Sequence, residues 1–300
     1  MSGWLISLEG TPTGGTVATA LALLAAFLHA VFGALQKGRH DPWLSRGAID
    51  GAYGLIAAPF ALLVVPWPEP HMWPIFAAVM LIHIGYKVLQ GFTYTYGAYT
   101  VVYPLVRGTG PLFAVIGAYL IFGETFSLIQ WLGVATLLAG IFGLGAYNLA
   151  RLETGRDTLP LALTLAVATG LFVALYTTYD AYGIRATADP FTFLAWFFFL
   201  DGLVFPFVAA RRWWRLPDRP ALPPLFLRGI VGAFVAFLSF GSIMLATRLD
   251  SVGEAAVLRE TSTVFAALIG WAFLGETVGP RRVALMGLIA AGAVIVERGG

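Results

Sequence analysis

Long apolar stretches recur along this chain, each near the length that carries an α-helix across a bilayer, roughly 20 residues. Ten are delimited, at about 15–36, 44–66, 73–96, 99–122, 127–149, 158–184, 190–210, 222–247, 250–274 and 280–297. The connections are short and carry proline, glycine or charge, as in Lys37 to Pro42, Pro66 to Pro70, Arg151 to Asp157 and Arg211 to Pro220. They leave no room for a soluble domain of any size. The first stretch is long and lacks a basic leader, so it reads as a transmembrane helix and not as a cleavable signal. Strands of alternating apolar and polar residues are absent, which excludes a membrane β-barrel. The pattern predicts an all-α polytopic membrane protein.

Composition agrees. Of 300 residues, 59% are hydrophobic and only 11% charged, against about 25% charged in a soluble domain. The mean hydropathy is +0.82. A chain this apolar needs lipid as its solvent, and its 35 glycines suit close helix contact there. Cysteine is absent, which excludes disulfides and thiolate chemistry. The four histidines, His29, His40, His71 and His83, are scattered, so no metal and no cofactor is expected. No P-loop, Gly-x-Ser-x-Gly, His-Glu-x-x-His or paired Asp-rich motif occurs, which argues against an enzyme and against ATP-driven work by this chain alone. The expected partners are a small-molecule substrate and the bilayer. Nucleic acid is not expected, and a chain that encloses its own pathway requires no oligomer.

An internal repeat organises the ten stretches. Residues 103–125 read YPLVRGTGPLFAVIGAYLIFGET and residues 255–277 read AAVLRETSTVFAALIGWAFLGET. A shift of 152 pairs Arg107 with Arg259, Thr109 with Thr261, Phe113 with Phe265 and Ala114 with Ala266. It also pairs Gly123-Glu124-Thr125 with Gly275-Glu276-Thr277, and Ala139-Gly140 with Ala291-Gly292. The fourth stretch is thus equivalent to the ninth. This divides the chain into a first five-helix repeat, 1–150, and a second, 151–300. Five is odd, so the second copy enters the membrane inverted, an arrangement associated with midplane sites and alternating access. The loops after stretches 1, 5, 7 and 9 hold most of the Lys and Arg, among them Lys37, Arg39, Arg151, Arg211, Arg212, Arg215, Arg219, Arg281 and Arg282. The positive-inside rule puts those loops in the cytoplasm and both termini outside.

The duplicated motif of an apolar run, Gly-Glu-Thr and a following helix with Gly140 or Gly292 resembles the drug/metabolite transporter superfamily, in its ten-helix EamA-type branch. The likeness covers nearly the whole chain. A proline common before the apolar run in that family is present as Pro111 but replaced by Thr263 in the second copy, and the first helix has His29 where a tryptophan is often found. The resemblance implies a transporter of small organic solutes in a bacterial inner membrane, such as an exporter of amino acids or other metabolites. It also implies cytoplasmic termini, against the charge bias.

Ionisable groups inside spans are costly and therefore mark candidate sites. In the third stretch His83, Lys87, Gln90 and Tyr94 recur at spacings of four, three and four, which places them on one helix face, with Tyr86 beside them. Arg107 and Arg259 are fixed charges, for which Glu254, Glu260 and Asp180 are available as ion-pair or coupling partners. Gly108, Gly110 and Pro111 predict a helix break after Arg107. Ser262 lies in the matching polar run of the second copy. Tyr176, Tyr179 and Trp196 supply aromatic walls. His29, Gln36, Asp50, Tyr53 and Asp201 are secondary candidates, with Asp50 near enough to a membrane end for solvation to explain it. Glu124 and Glu276 read as residues that end one helix and start the next.

Cations, carboxylates and tyrosines together suit a zwitterion with an apolar side chain. The expected function is a secondary transporter, an exporter of an amino acid, aromatic ones included, with Lys87 or an arginine holding the carboxylate. A nucleotide-sugar or drug carrier of the same fold is the alternative, and a membrane enzyme a more distant one.

Overall fold

A computed structural model describes residues 2–36, 41–152, 157–273 and 279–300. Thirteen helices and no strand occur among the described residues. The first six are α1 Ser2–Ser7, α2 Pro12–Gln36, α3 Pro42–Leu63, α4 Met72–Tyr96, α5 Tyr99–Phe122 and α6 Leu128–Leu149. Then follow α7 Leu159–Ala186, α8 Pro190–Asp201, α9 Phe205–Arg215 and α10 Leu222–Leu249. The last three are α11 Val252–Arg259, α12 Ser262–Phe273 and α13 Pro280–Gly299. Seven stretches are long and apolar enough to cross a membrane: 12–33, 72–96, 101–122, 128–149, 159–186, 190–215 and 222–249. Outside that set lie α3, which carries Arg46 and Asp50, the interrupted α11–α12 pair, and α13, which opens on Arg281-Arg282. The chain is therefore all-helical and multi-pass. α1 was not anticipated by the apolar pattern.

Local chemistry sets several helix ends. The Asp41 carboxylate accepts hydrogen bonds from the amides of Trp43 and Leu44, and Pro42 opens α3 where no amide donor is needed. Ser127 and Gln130 cap α6 reciprocally. α5 ends at Gly123, whose φ of 69° lies in the left-handed region that only glycine adopts without cost.

One expectation is corrected in α5. The break forecast at Gly108, Gly110 and Pro111 does not occur, and the helix runs unbroken through Pro104 and Pro111. The interruption sits instead at Glu260–Thr261, between α11 and α12. No proline is nearby. The Thr261 hydroxyl bonds the Leu258 carbonyl and the Thr263 hydroxyl bonds the Glu260 carbonyl, so side chains take over groups that a continuous helix would use.

Packing follows a reciprocal plan. α10 lies along α2 and α4 lies along α7; α11 and α12 pack on α2, and α5 packs on α7. α6 lies along α13, which is a glycine-lined seam. A Cβ at Gly292 would fall 2.5 Å from the Leu137 amide, and one at Gly133 would fall 2.8 Å from the Gly292 carbonyl oxygen. Only a missing side chain permits this approach, which in lipid replaces hydrophobic driving force with dispersion contact.

The two ends of the bundle are stitched differently. At one, Arg212 on α9 pairs with Asp41 at the start of α3, and Arg282 donates to the Asn148 side chain at 3.1 Å. At the other, Arg248 meets Glu9 at 2.6 Å and Arg185 meets Glu124 at 3.5 Å. Glu124 does not start its own next helix. Its carboxylate accepts from the amides of Val252 at 2.9 Å and Gly253 at 3.0 Å and from the Ser251 hydroxyl, and so caps α11 from the far half of the chain. A carboxylate at a helix N-terminus also meets the positive end of the dipole. Glu276, its counterpart by the 152-residue shift, lies outside the described residues.

Glu124→Ala removes that cap and should cost about 1–2 kcal/mol, lowering the unfolding midpoint in detergent by a few degrees. Tryptophan fluorescence during heating measures it, with the surface change Glu69→Ala as reference. Equal midpoints would show that the cross-chain cap contributes nothing.

Candidate functional site

Burying a charge costs several kcal/mol unless it is paired, and among the described residues eight acidic or basic side chains are buried, seven of them paired, with the half-buried Arg46 beside them. The first group surrounds Lys87. Its ammonium lies 2.6 Å from Asp50 on α3 and 2.7 Å from Asp201 at the end of α8. Tyr53, one turn after Asp50, donates to Asp201 and lies 3.2 Å from the Lys87 nitrogen. Arg46, one turn before Asp50, reaches it at 2.8 Å. Two cations thus face two carboxylates, and Asp50 is fully buried. The solvated position expected for Asp50 is therefore wrong: α3 carries it into the core. Lys87 sits in a closed ionic cluster with no donor left over for a ligand.

The second group links the paired arginines. Arg107 on α5 meets Glu260 at 2.8 Å, the Ser262 hydroxyl at 2.9 Å and the Arg259 carbonyl at 3.3 Å. All three partners flank the α11–α12 interruption, so Arg107 stabilises the broken backbone and takes up a carbonyl that the break exposes. Non-helical backbone at membrane depth needs such a partner. Arg259, the last residue of α11, faces away from that contact. Its Nη1 reaches Tyr176 at 3.4 Å and its guanidinium lies over the Phe240 ring at 4.9 Å. Its Nε and Nη2 have no hydrogen-bond partner although the residue is 3% exposed.

The third group is His83 with Asp180. The imidazole Nε2 sits 2.9 Å and 3.2 Å from the two carboxylate oxygens, joining α4 to α7. The aromatic rings of Tyr176 and Phe197 flank His83 at 5.0 and 4.9 Å, and Tyr86 meets Tyr176 edge-on at 4.9 Å. Gln90 donates to the Tyr86 hydroxyl at 2.6 Å. Of the face read from the sequence, His83 and Lys87 are buried and Gln90 and Tyr94 half-buried, and Tyr86 beside them is buried too.

Two small voids, about 10 Å³ each, bracket Phe240. One is lined by Arg46, Tyr53, His83 and Asp201, the other by Tyr176, Asp180, Thr247 and Arg259. Each has room for about one water molecule. Neither void as it stands holds a metabolite.

Other candidates fall outside this centre. Trp196 packs against Trp67 and Trp73 in an apolar cluster, and Tyr179 stacks toward Tyr182. Glu254 accepts from Gln130 at the membrane end, close to Gly300, and contacts neither arginine. Tyr94 packs beside the Tyr86–Tyr176 cluster. Gly108 and Gly110 give close contact to Phe142 and Val173 in an intact helix. The side chain of Gln36 lies outside the described residues. Sequence reasoning did not single out Arg46 and gave Asp50 and Asp201 little weight; the surplus of one buried lysine on α4 was the signal that carboxylates had to be nearby.

If the Lys87 cluster is a closed ionic unit, Lys87→Met should destabilise the protein by about 3–5 kcal/mol by stranding two carboxylates. Adding Asp201→Asn should recover part of the loss. A double-mutant cycle on detergent unfolding is the check, and strictly additive effects would rule out the pairing.

Residues 160–298 match the model of the EamA-like transporter family. A solved structure described only as "Crystal structure of protein" is 18% identical and superposes with a TM-score of 0.71, covering 95% of this chain and 98% of that one; at that identity the likeness speaks to fold alone. An uncharacterised protein of Sinorhizobium fredii, y4nH, is 43% identical over 42 residues, which is 14% of this chain. The match spans 36% of that protein's length. The chain is a multi-pass membrane protein similar, over its second half, to membrane transporters of small metabolites.

Proposed function

We propose that this chain is a secondary transporter exporting a small amphipathic metabolite, an amino acid in particular, by alternating access between two inverted five-helix halves, 1–150 and 151–300. The observation that carries the reading is that Tyr176 and Asp180 from α7 and Arg259 from α11 line one interior void, with His83 of α4 bonded to Asp180 and Tyr86 edge-on to Tyr176 behind them. A carboxylate, a cation and tyrosine faces within one small region match the ammonium, carboxylate and side chain of an amino acid.

The packing supports the division into halves. A shift of 152 maps the α4–α7 contact onto α10–α2 and the α5–α7 contact onto α11 and α12 on α2, as two copies related by a two-fold axis in the membrane plane require. It also pairs α6 with α13 as counterparts of each other. In this scheme the ten segments are α2 to α7, α8 with α9, α10, α11 with α12, and α13. α3 packs backbone-close along α10, while the matching contact of α4 with α8 is made through long side chains, Phe76 on Phe193 and Lys87 on Asp201, so the two copies are spaced differently, which suits a central site that opens to one side at a time. Each void has room for about one water molecule, and rocking of the halves would widen the site for a metabolite.

The decisive experiment reconstitutes the full chain in liposomes and follows a panel of labelled aromatic and aliphatic amino acids, with and without a pH gradient. Saturable flux, mutually competed by amino acids and reduced at least tenfold by Asp180→Asn, is the expected outcome. Flux competed by nucleotide sugars or lipophilic cations and indifferent to amino acids would overturn the substrate class.

A further inference from the structure

The interior cations are not equivalent. Lys87 and Arg46 share two aspartates, and Arg107 has Glu260, Ser262 and a backbone carbonyl. Arg259 alone, among the described buried cations, has no carboxylate within ion-pair distance. Its neighbours are ring faces and one long contact to a phenol oxygen. Its two unpartnered nitrogens, Nε and Nη2, are adjacent donors along one edge of the planar guanidinium. That edge is the fork which matches the two oxygens of a carboxylate in parallel hydrogen bonds.

The geometry points to Arg259 as the anion-recognition residue of the central site, taking the carboxylate of the transported molecule on its Nε/Nη2 edge. The site also shows why this arginine and not its sequence counterpart is available. Glu260 turns at the α11–α12 interruption and is claimed by Arg107, which also ties down the Arg259 carbonyl. Arg107 thereby neutralises the neighbouring carboxylate and fixes the backbone from which Arg259 projects, making it a positioning residue. Phe240 and Tyr176 lie against the guanidinium, its Nη1 is spent on the Tyr176 hydroxyl, and Arg259 lines the same void as Asp180. Asp180 is engaged by His83, so it does not quench the arginine as an ion-pair partner. This assignment rests on the transport reading for its meaning, but it is tested by binding alone.

The test uses the purified full chain in detergent, with thermal stabilisation as readout and three probes: L-phenylalanine, 3-phenylpropionate, which lacks the amine, and 2-phenylethylamine, which lacks the acid. A phosphorylated arm, phenyl phosphate, separates a carboxylate fork from a general anion site. The expected result is stabilisation by both carboxylates and none by the amine, with apparent affinity about 10- to 100-fold weaker in Arg259→Gln and intermediate in Arg259→Lys. Arg107→Lys should weaken binding less than Arg259→Gln. Equal stabilisation by the amine and the acids in the unaltered protein overturns the assignment without recourse to any variant, as does unchanged acid binding by folded Arg259→Gln. Preferential binding of phenyl phosphate overturns the carboxylate class. If acids bind as expected yet liposomes move no solute, the anion site stands and the transport reading falls. If solute moves while the acid preference is missing, the reverse holds.

Discussion

The architecture of this protein is governed by the cost of holding charge out of water. A lysine or arginine within hydrocarbon is tolerated only when its partners travel with it, and here the partners come from different helices. Asp50 on α3, Lys87 on α4 and Asp201 on α8 cannot be satisfied by any one helix or adjacent pair. The same holds for Arg107 on α5 with Glu260 beyond α11, and for His83 on α4 with Asp180 on α7. Each cluster therefore acts as a constraint on assembly. Apolar faces alone would let these helices slide against one another in lipid, whereas a misplaced register here leaves a bare charge. Such networks rigidify a bundle only when every member is satisfied.

Against that background one open valence is conspicuous. All but one of the interior cations are paired, and the exception sits at a helix interruption between two aromatic rings. The interruption and the free guanidinium belong together. Successive positions on a helix already point about 100° apart, and at the break Glu260 goes to Arg107 while Arg259 goes to the Tyr176 and Phe240 rings. What the break adds is the exposed Arg259 carbonyl, which Arg107 also holds. A transporter site must be attractive without being self-neutralised, and separating a cation from its sequence neighbour is one way to reach that state.

The all-helical, multi-pass character was legible in the apolar pattern, because segments of this length and hydropathy have few alternatives. The burial of His83 and Lys87 on α4 was legible too, since 83, 87, 90 and 94 recur at helical spacing. What local sequence could not show was pairing. Asp50 reads as a membrane-end carboxylate, and nothing within twenty residues announces that Lys87 will claim it. The helix break misled for a related reason. Proline is the strongest local signal of interruption, yet α5 accommodates Pro104 and Pro111 within a packed bundle, while the real break is made by threonine hydroxyls and by an arginine from another helix. Glu124 shows the same limit: its glycine and its position declared a helix terminus, and the helix it caps begins 128 residues later.

The glycine seam between α6 and α13 bears on how the protein is made. α6 is complete once residue 149 has been synthesised, while α13 begins at residue 280. During synthesis α6 must therefore wait in the bilayer without its partner while six further helices are added before α13. Its unpartnered glycine face is a handle that insertion factors or membrane proteases could read as a sign of an unfinished molecule. Ser127, at the head of α6, finally bonds the Gly299 carbonyl at 2.8 Å. A chain shortened before α13 would keep most of its ionic core and still leave that face unpartnered, so surveillance of this seam would catch failures that the charge clusters cannot report.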